Sequence, residues 1–172
     1  MELEKYSMGI GDRFGFQCAA QLRALQKAAG SGIRIVPVWN KSNREHVIAG
    51  TVPEDAHRAA VEAVKTCGWT DSYYVDADHI GPGTVDAFLP SHNFFTIDVA
   101  DYIGKPLQES SADPFLAAMA KCKGPLAVPG IEAPLQITDA ALNLFCSKYL
   151  YAISEAGKIY RYIAAQKGAE NF

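Results

Sequence analysis

Along the first hundred residues, short apolar runs alternate with stretches whose apolar positions recur at helical spacing. That alternation is the signature of strand–helix–strand units in a parallel sheet. Tyr6-Ser7-Met8-Gly9-Ile10 reads as a first strand, ended by Gly11. From Phe14 to Ala29, residues Cys18, Leu22, Leu25 and Ala29 share one face of a helix that Gly30 and Gly32 stop. Ile33 to Val38 forms a second strand, and Pro37, which cannot donate to a ladder, predicts an irregular end. A polar loop, Asn40 to Gly50, then leads to Thr51-x-x-Glu54, a capping box with Pro53 in the first turn. The helix behind it carries Ala60, Val61, Val64 and Cys67 inward and ends at Gly68. Tyr73 to Asp76 is the third strand, Pro82 to Leu89 a short helix, and Phe94 to Asp98 the fourth strand.

The pattern changes after Asp98. Residues 99–136 hold prolines 106, 114, 125, 129 and 134, which break any long element. One short helix fits, capped by Asp113, with Pro114 at its first position, and running to about Lys123. The stretch reads as an insertion or lid. From Thr138 a long helix places Leu142, Cys146, Tyr149, Ile153, Ala156, Tyr160 and Ile163 on one side, with a weak point at Gly157. Gly168 ends it, and Ala169 to Phe172 reads as the entry to a fifth strand. The expected class is α/β, a parallel (β/α) barrel-type fold. About four βα units and a long C-terminal helix form a single domain or half-barrel over residues 1–172.

Composition narrows the function classes. The chain has 172 residues, 49% hydrophobic and 20% charged, enough for a buried core. A net charge of −3 points away from nucleic acid and anionic membrane as partners. No apolar run reaches the roughly 18 residues of a spanning helix, and the start of the chain lacks a secretory apolar region. Cys18, Cys67, Cys122 and Cys146 are widely spread with no CxxC pair. A disulfide framework is therefore not expected, and a reducing cytoplasm is the default compartment.

In parallel α/β folds the loops at the carboxyl ends of the strands build the active face. Each strand here delivers polar groups at that end. The first gives Asp12 and Arg13; the second gives Asn40, Lys41, Asn43, Arg44, Glu45 and His46. The third gives Asp76, Asp78 and His79, and the fourth Asp98 and Asp101. The best constellation is Val75-Asp76-Ala77-Asp78-His79, read as the end of a buried strand that presents an acid/base and metal-binding cluster. Carboxylate oxygen and imidazole nitrogen suit Mn²⁺, Zn²⁺ or Ni²⁺. The same residues also allow a plainer role, with Asp78 capping the next helix and His79 filling a turn. Arg13, Lys41 and Arg44 offer cations for an anionic substrate or, equally, surface charges that pair with Glu45. His46 reads as a ligand, a base or an ordinary loop histidine, and Asp98 as a site carboxylate or a helix cap. His57 and His92 read as bland. Gly9-x-Gly11-x-x-x-Gly15 is out of register for a dinucleotide fingerprint, so nucleotide binding is not expected.

Taken together, Gly9-Ile10-Gly11-Asp12-Arg13-Phe14-Gly15, Asp76-Ala77-Asp78-His79 and Phe95-Thr96-Ile97-Asp98 resemble the successive strand-end motifs of the tagaturonate epimerases. Trp39 to His46 resembles a loop of one branch of that family, and the likeness spans most of residues 5–100. The resemblance implies a divalent-metal-dependent (β/α) barrel enzyme that interconverts D-tagaturonate and D-fructuronate. It implies Asp78 as proton acceptor, His79 as a metal ligand, and a small sugar acid as substrate. Asp12, Arg13, Asn40, Lys41, Arg44, His46, Asp76 and Asp98 are the residues expected around that substrate. The family's other ligands and its proton donor lie on later strands, and its members are longer. That implies half a site here, and a homodimer covering the open barrel edge. A metal-dependent aldolase or isomerase on a sugar acid fits the early motifs too. So does a non-catalytic half-barrel fragment or binding module.

Overall fold

The computed structural model describes residues 3–106 and 112–172; Met1, Glu2 and residues 107–111 of the expected insertion lie outside them. The chain divides into two compact units, Met1–Asp98 with Ile159–Phe172, and Val99–Lys158. The first is α/β. Its strands β1 (Ser7–Gly11), β2 (Val36–Ser42), β3 (Tyr74–Ile80) and β4 (Phe94–Ile97) form one parallel sheet in that order. Helices α1 (Cys18–Gly30), α2 (Asn43–Ala49) and α3 (Pro53–Cys67) connect the first three strands.

Register assigns each strand residue to a face, because parallel partners point the same way and successive residues alternate. Trp39 pairs with Val75, and both are buried with Cys18, Leu22, Ala60 and Ala63 under α1 and α3. Val38 pairs with Tyr74 on the other face, where Val36 and Phe94 complete a second cluster. Asn40 and Asp76, then Ser42 and Asp78, continue that second face. Lys41, paired with Ala77, belongs to the helix side.

Asp12 decides how α1 begins. Its Oδ1 accepts the Gly15 and Phe16 amides at 2.9 and 3.3 Å, and its Oδ2 accepts those of Gln17 and Cys18 at 2.6 and 3.1 Å. Those amides would otherwise lack acceptors at a helix start. The loop therefore persists to Gln17, and α1 starts at Cys18, four residues past the expected start at Phe14. Burial and the adjacent Asp12 push the Cys18 thiol up to about 12, so it stays neutral. Asp12→Ala is expected to lower the unfolding free energy by about 2 kcal/mol in a urea titration. A loss below about 0.5 kcal/mol would mean that water replaces the carboxylate.

Tertiary packing moved several other boundaries. The second strand begins at Val36 rather than Ile33 and runs through Ser42, so Asn40 and Lys41 are strand residues. The expected polar loop is instead α2: Ser42 and Glu45 form its capping box, and Gly50, with φ 65°, ends it. Thr51 is not a helix cap; its Oγ1 takes Lys41 Nζ at 2.9 Å and meets His46 Nδ1 at 3.0 Å. At the start of α3 the Val52 amide donates to Asp55 Oδ2. β3 continues four residues beyond Asp76, so the Asp76–His79 cluster lies within a strand and not past its end. Residues 82–89 form only a short 3₁₀ turn, Val85–Ala87.

The second unit contains α4 (Ala112–Met119), an antiparallel hairpin of β5 (Gly124–Leu126) and β6 (Leu135–Ile137), and most of α5 (Asp139–Lys167). Asp113 lies in the first turn of α4 and not before it. The hairpin was not anticipated, because strands this short, one containing Pro125, carry no alternating pattern. Helix α5 continues through Gly157 without a break. Its buried line uses Leu142, Cys146, Ala152, Ile159 and Ile163, whereas Ile153 and Tyr160, expected inside, are 57% and 49% exposed. Ala169–Asn171 is a 3₁₀ turn, not the entry to a strand, and Phe172 packs edge-on against Phe95 at 5.6 Å. No helix among the described residues is long and apolar enough to cross a membrane. All four cysteines are free.

Candidate active-site cleft

A bulge near the end of β3 creates the site. Ala77 pairs with Phe95, and the next pair is Ile80 with Ile97, so β3 spends one residue more than β4 over that interval. His79 absorbs the extra residue at φ 55°, a left-handed conformation uncommon for a side chain other than glycine. The bulge turns its imidazole outward, 64% exposed, with Nδ1 at 2.7 Å from Asp78 Oδ1. The Gly81 amide, next along the chain from Ile80, is held by Thr84 Oγ1 and not by the Asp78 carboxylate.

Asp78 and His79 line an open cleft of about 360 Å³ with Ser42, Asn43, Arg44, Glu45, Thr84 and Asp98. The first turn of α2 makes one wall. Glu45 Oε2 accepts from the Ser42 amide and hydroxyl at 2.9 and 3.0 Å, and Arg13 Nε donates to Glu45 Oε1 at 3.1 Å. Burial pushes the Glu45 carboxyl upward, but the bonds from Ser42 and the Arg13 charge outweigh it and hold it below the usual range. Glu45 is thus a fixed anion that orients Arg13. Arg44 supplies a guanidinium to the cleft, a planar fork suited to a carboxylate.

Four of the expected site residues, Arg44, Asp78, His79 and Asp98, come together here. Arg13 reaches the cleft only through Glu45. Asp12 is consumed as the cap of the β1–α1 loop, and Asn40 approaches Gly9 and Gly11 farther down the sheet. Lys41 and His46 lie behind it, on the helix side. Asp76 is on the cleft's face of the sheet, one alternation deeper and 3% exposed, bound to the Thr96 amide and hydroxyl at 3.0 and 2.8 Å. Burial raises its carboxyl to about 6 against the opposing pull of Thr96. Ser42 and Thr84 were missed as site residues, and Asn43 and Glu45 entered only as polar groups at the end of the second strand. Ser42-x-x-Glu45 was readable as a capping box, whereas Thr84 carried no local signal.

His92 is also a correction: it is not a bland loop residue but is 1% exposed, edge-on to Phe88 at 5.0 Å. His46, 2% exposed, meets the same ring at 5.9 Å. Both leave Nε2 without a hydrogen-bond partner among the described residues. Burial lowers His46 to about 4 and His92 to about 3, so both are neutral near pH 7.

For a divalent ion the cleft offers His79 Nε2 and the carboxylates of Asp78, Glu45 and Asp98. Among the described residues, however, no three His, Cys, Asp or Glu side chains gather closely enough to hold one. These residues alone do not complete a metal centre. What they present is a carboxylate–imidazole pair in a cleft that Arg44 also lines, a set able to move a proton at a hydroxyl beside a bound anion.

None of the curated proteins compared with the chain matches it. The native crystal structure of fructuronate-tagaturonate epimerase UxaE from Cohnella laeviribosi has a similar fold, with a TM-score of 0.69 at 22% identity. That alignment covers 91% of this chain and 34% of the other. A glycerol complex of the same enzyme gives a TM-score of 0.68 at 20% identity, covering 93% and 34%. The chain thus spans about a third of the length of these solved proteins. The family model UxaE, tagaturonate epimerase, matches residues 1–170. Matched over almost its whole length, the chain belongs to the tagaturonate epimerase family.

Proposed function

We propose that the chain carries the proton-accepting part of a hexuronate epimerase acting between D-tagaturonate and D-fructuronate. The observation that carries this reading is the Asp78–His79 pair, 2.7 Å apart in a cleft that also holds Arg44. Family membership supplies the substrate class. In this reading the four strands are part of a parallel barrel, and the cleft lies at their carboxyl ends, where such barrels place their chemistry.

The inverted carbon bears a hydroxyl and lies β to the ketone, so its own hydrogen is not acidic. Asp78 accepts the hydroxyl proton. The resulting alkoxide collapses to an aldehyde, and the electron pair of the adjacent carbon–carbon bond passes to the ketone fragment as an enolate. Rotation of the aldehyde and re-addition invert the centre, and Asp78 returns the proton to the new alkoxide. His79, bound to the other side of the carboxylate, keeps Asp78 oriented. Arg44 holds the sugar carboxylate. The imidazole of His79 is proposed as one donor of a divalent-ion site whose other donors lie outside the described residues.

Titrating ¹⁵N-labelled protein with D-tagaturonate tests the assignment. Saturable shifts are expected at the Arg44, Asp78 and His79 amides, together with the appearance of D-fructuronate in the proton spectrum. Arg44→Ala should weaken binding about tenfold, as expected when a charged hydrogen bond to a carboxylate is lost. Shifts confined to other parts of the chain would sink the reading. Binding at the cleft without turnover would leave the chain the substrate-holding role alone.

A further inference from the structure

On the helix side of β2, away from the Asp78 cleft, lies a second open cleft of about 570 Å³. Its lining includes Lys41, Thr51, Phe14, Phe16, Asp55 and Arg58. Lys41 is 4% exposed, so its ammonium is almost wholly withdrawn from bulk water. Such a group carries three N–H donors and demands compensation when buried. Among the described residues Nζ makes a single hydrogen bond, to Thr51 Oγ1 at 2.9 Å, and no ion pair. Thr51 in turn meets His46 Nδ1, which fixes the hydroxyl between lysine and imidazole and leaves two lysine donors uncommitted.

The carboxylates nearby are already engaged. Asp12 is held by four backbone amides, and Asp55 by the Val52 amide and Arg58. Glu62 accepts from Thr66. At the rim, Phe14 and Phe16, two positions apart, are 64% and 84% exposed. Gly15 between them has φ 76°, with nothing within 4 Å of where a Cβ would stand, so the loop leaves open space. A buried ammonium with no direct ion pair and two exposed rings line the same cleft, with the Asp55 and Glu62 carboxylates elsewhere on its wall.

We propose that this cleft binds a small anion carried on a planar apolar ring, with the anion on Lys41 Nζ and the ring against Phe14 and Phe16. Phosphate and carboxylate share the required chemistry. The site is separate from the sugar-acid cleft, because Lys41 and Ser42 point to opposite faces of β2.

Titration of the ¹⁵N-labelled chain with phenyl phosphate, benzoate, inorganic phosphate and neutral benzyl alcohol tests this. Phenyl phosphate is expected to shift the Gly15, Phe16, Lys41 and Thr51 amides saturably. Inorganic phosphate should bind the same residues about tenfold more weakly, from loss of the ring contact. Comparison with benzoate decides between the two anions. Lys41→Met should reduce phenyl phosphate affinity at least about tenfold. Phe16→Ala, at an exposed position that threatens no core, should weaken phenyl phosphate but leave inorganic phosphate unchanged. Should Lys41→Met fail to fold, Phe16→Ala and the benzyl alcohol comparison still decide. Equal binding of benzyl alcohol and phenyl phosphate, unchanged affinity in a folded Lys41→Met protein, or shifts centred on Arg44 and Asp78 would each overturn the proposal.

Discussion

Under the proposed function, Asp78→Asn is expected to slow conversion of D-tagaturonate to D-fructuronate by about 10²–10⁴-fold, the usual contribution of a positioned general base. Asparagine is nearly isosteric with aspartate, and its Oδ1 can still accept from His79 Nδ1 at the position seen for Asp78. The bulge and the orientation of His79 should therefore survive while the base is lost. Initial rates from proton spectra, compared at equal substrate, check this. Rates within a few-fold of the parent would remove Asp78 from the mechanism. The pH profile adds a second readout, because Asp76 lies one alternation deeper on the same face with its carboxyl raised to about 6. An acid limb that persists in Asp78→Asn but moves below pH 6, because the Asp78 charge that helps raise Asp76 is gone, would point to Asp76 as the group whose ionisation is required.

Stability is expected to fall by about 1.4 kcal/mol for each pH unit between pH 6 and 4, the value of one net proton. His46 and His92 have folded values lowered to about 4 and about 3, below the ordinary 6.5. Below pH 6.5 the unfolded chain therefore takes up two protons that the folded chain refuses, and stability is lost as pH falls. Asp76 has the opposite sign. Its folded value is raised from 3.8 to about 6, so the folded chain holds one proton more in the same window and recovers about half of the loss. Two histidines against one aspartate leave one proton favouring the unfolded state.

The histidine surroundings support that sign. His46 faces the Lys41 charge, offset by Asp55 and Glu45, and His92 faces His46, His57 and Lys167. Below about pH 4.5, protonation of Glu45, whose folded value is lowered, adds to the loss. Urea titrations at pH 7, 6, 5 and 4 measure the slope. His92→Leu keeps an apolar side chain beside Phe88 and removes one proton from the balance, so the dependence between pH 6 and 4 should flatten. A variant with an unchanged slope would show that His92 does not carry it.

The succession of four parallel strands was readable because each strand is a short apolar run between turn residues, a signal contained in neighbouring positions. The ordered motifs around Asp12, Asp78 and Asp98 likewise pointed to the family that the match over residues 1–170 establishes. Element ends were less legible. β2 and β3 extend through polar residues, Asn40 to Ser42 and Asp76 to His79, because ladder bonding to neighbouring strands outweighs local polarity. The buried line of α5 left its expected course at Ile153 because helical periodicity names a stripe of possible angles, and packing selects one of them.

Residue chemistry and spacing alone put carboxylates, imidazoles and cations near the carboxyl ends of the strands, since those identities are local facts. What each does depended on register and burial, which arise only when distant segments meet. The alternation of β2 sends Ser42 to the Asp78 cleft and Lys41 to the opposite side. A one-residue bulge turns His79 outward beside Asp78, and enclosure around Phe88 makes two apparently ordinary histidines buried and neutral. No string of neighbours specifies these outcomes, because strand register and enclosure are set where segments distant in sequence meet.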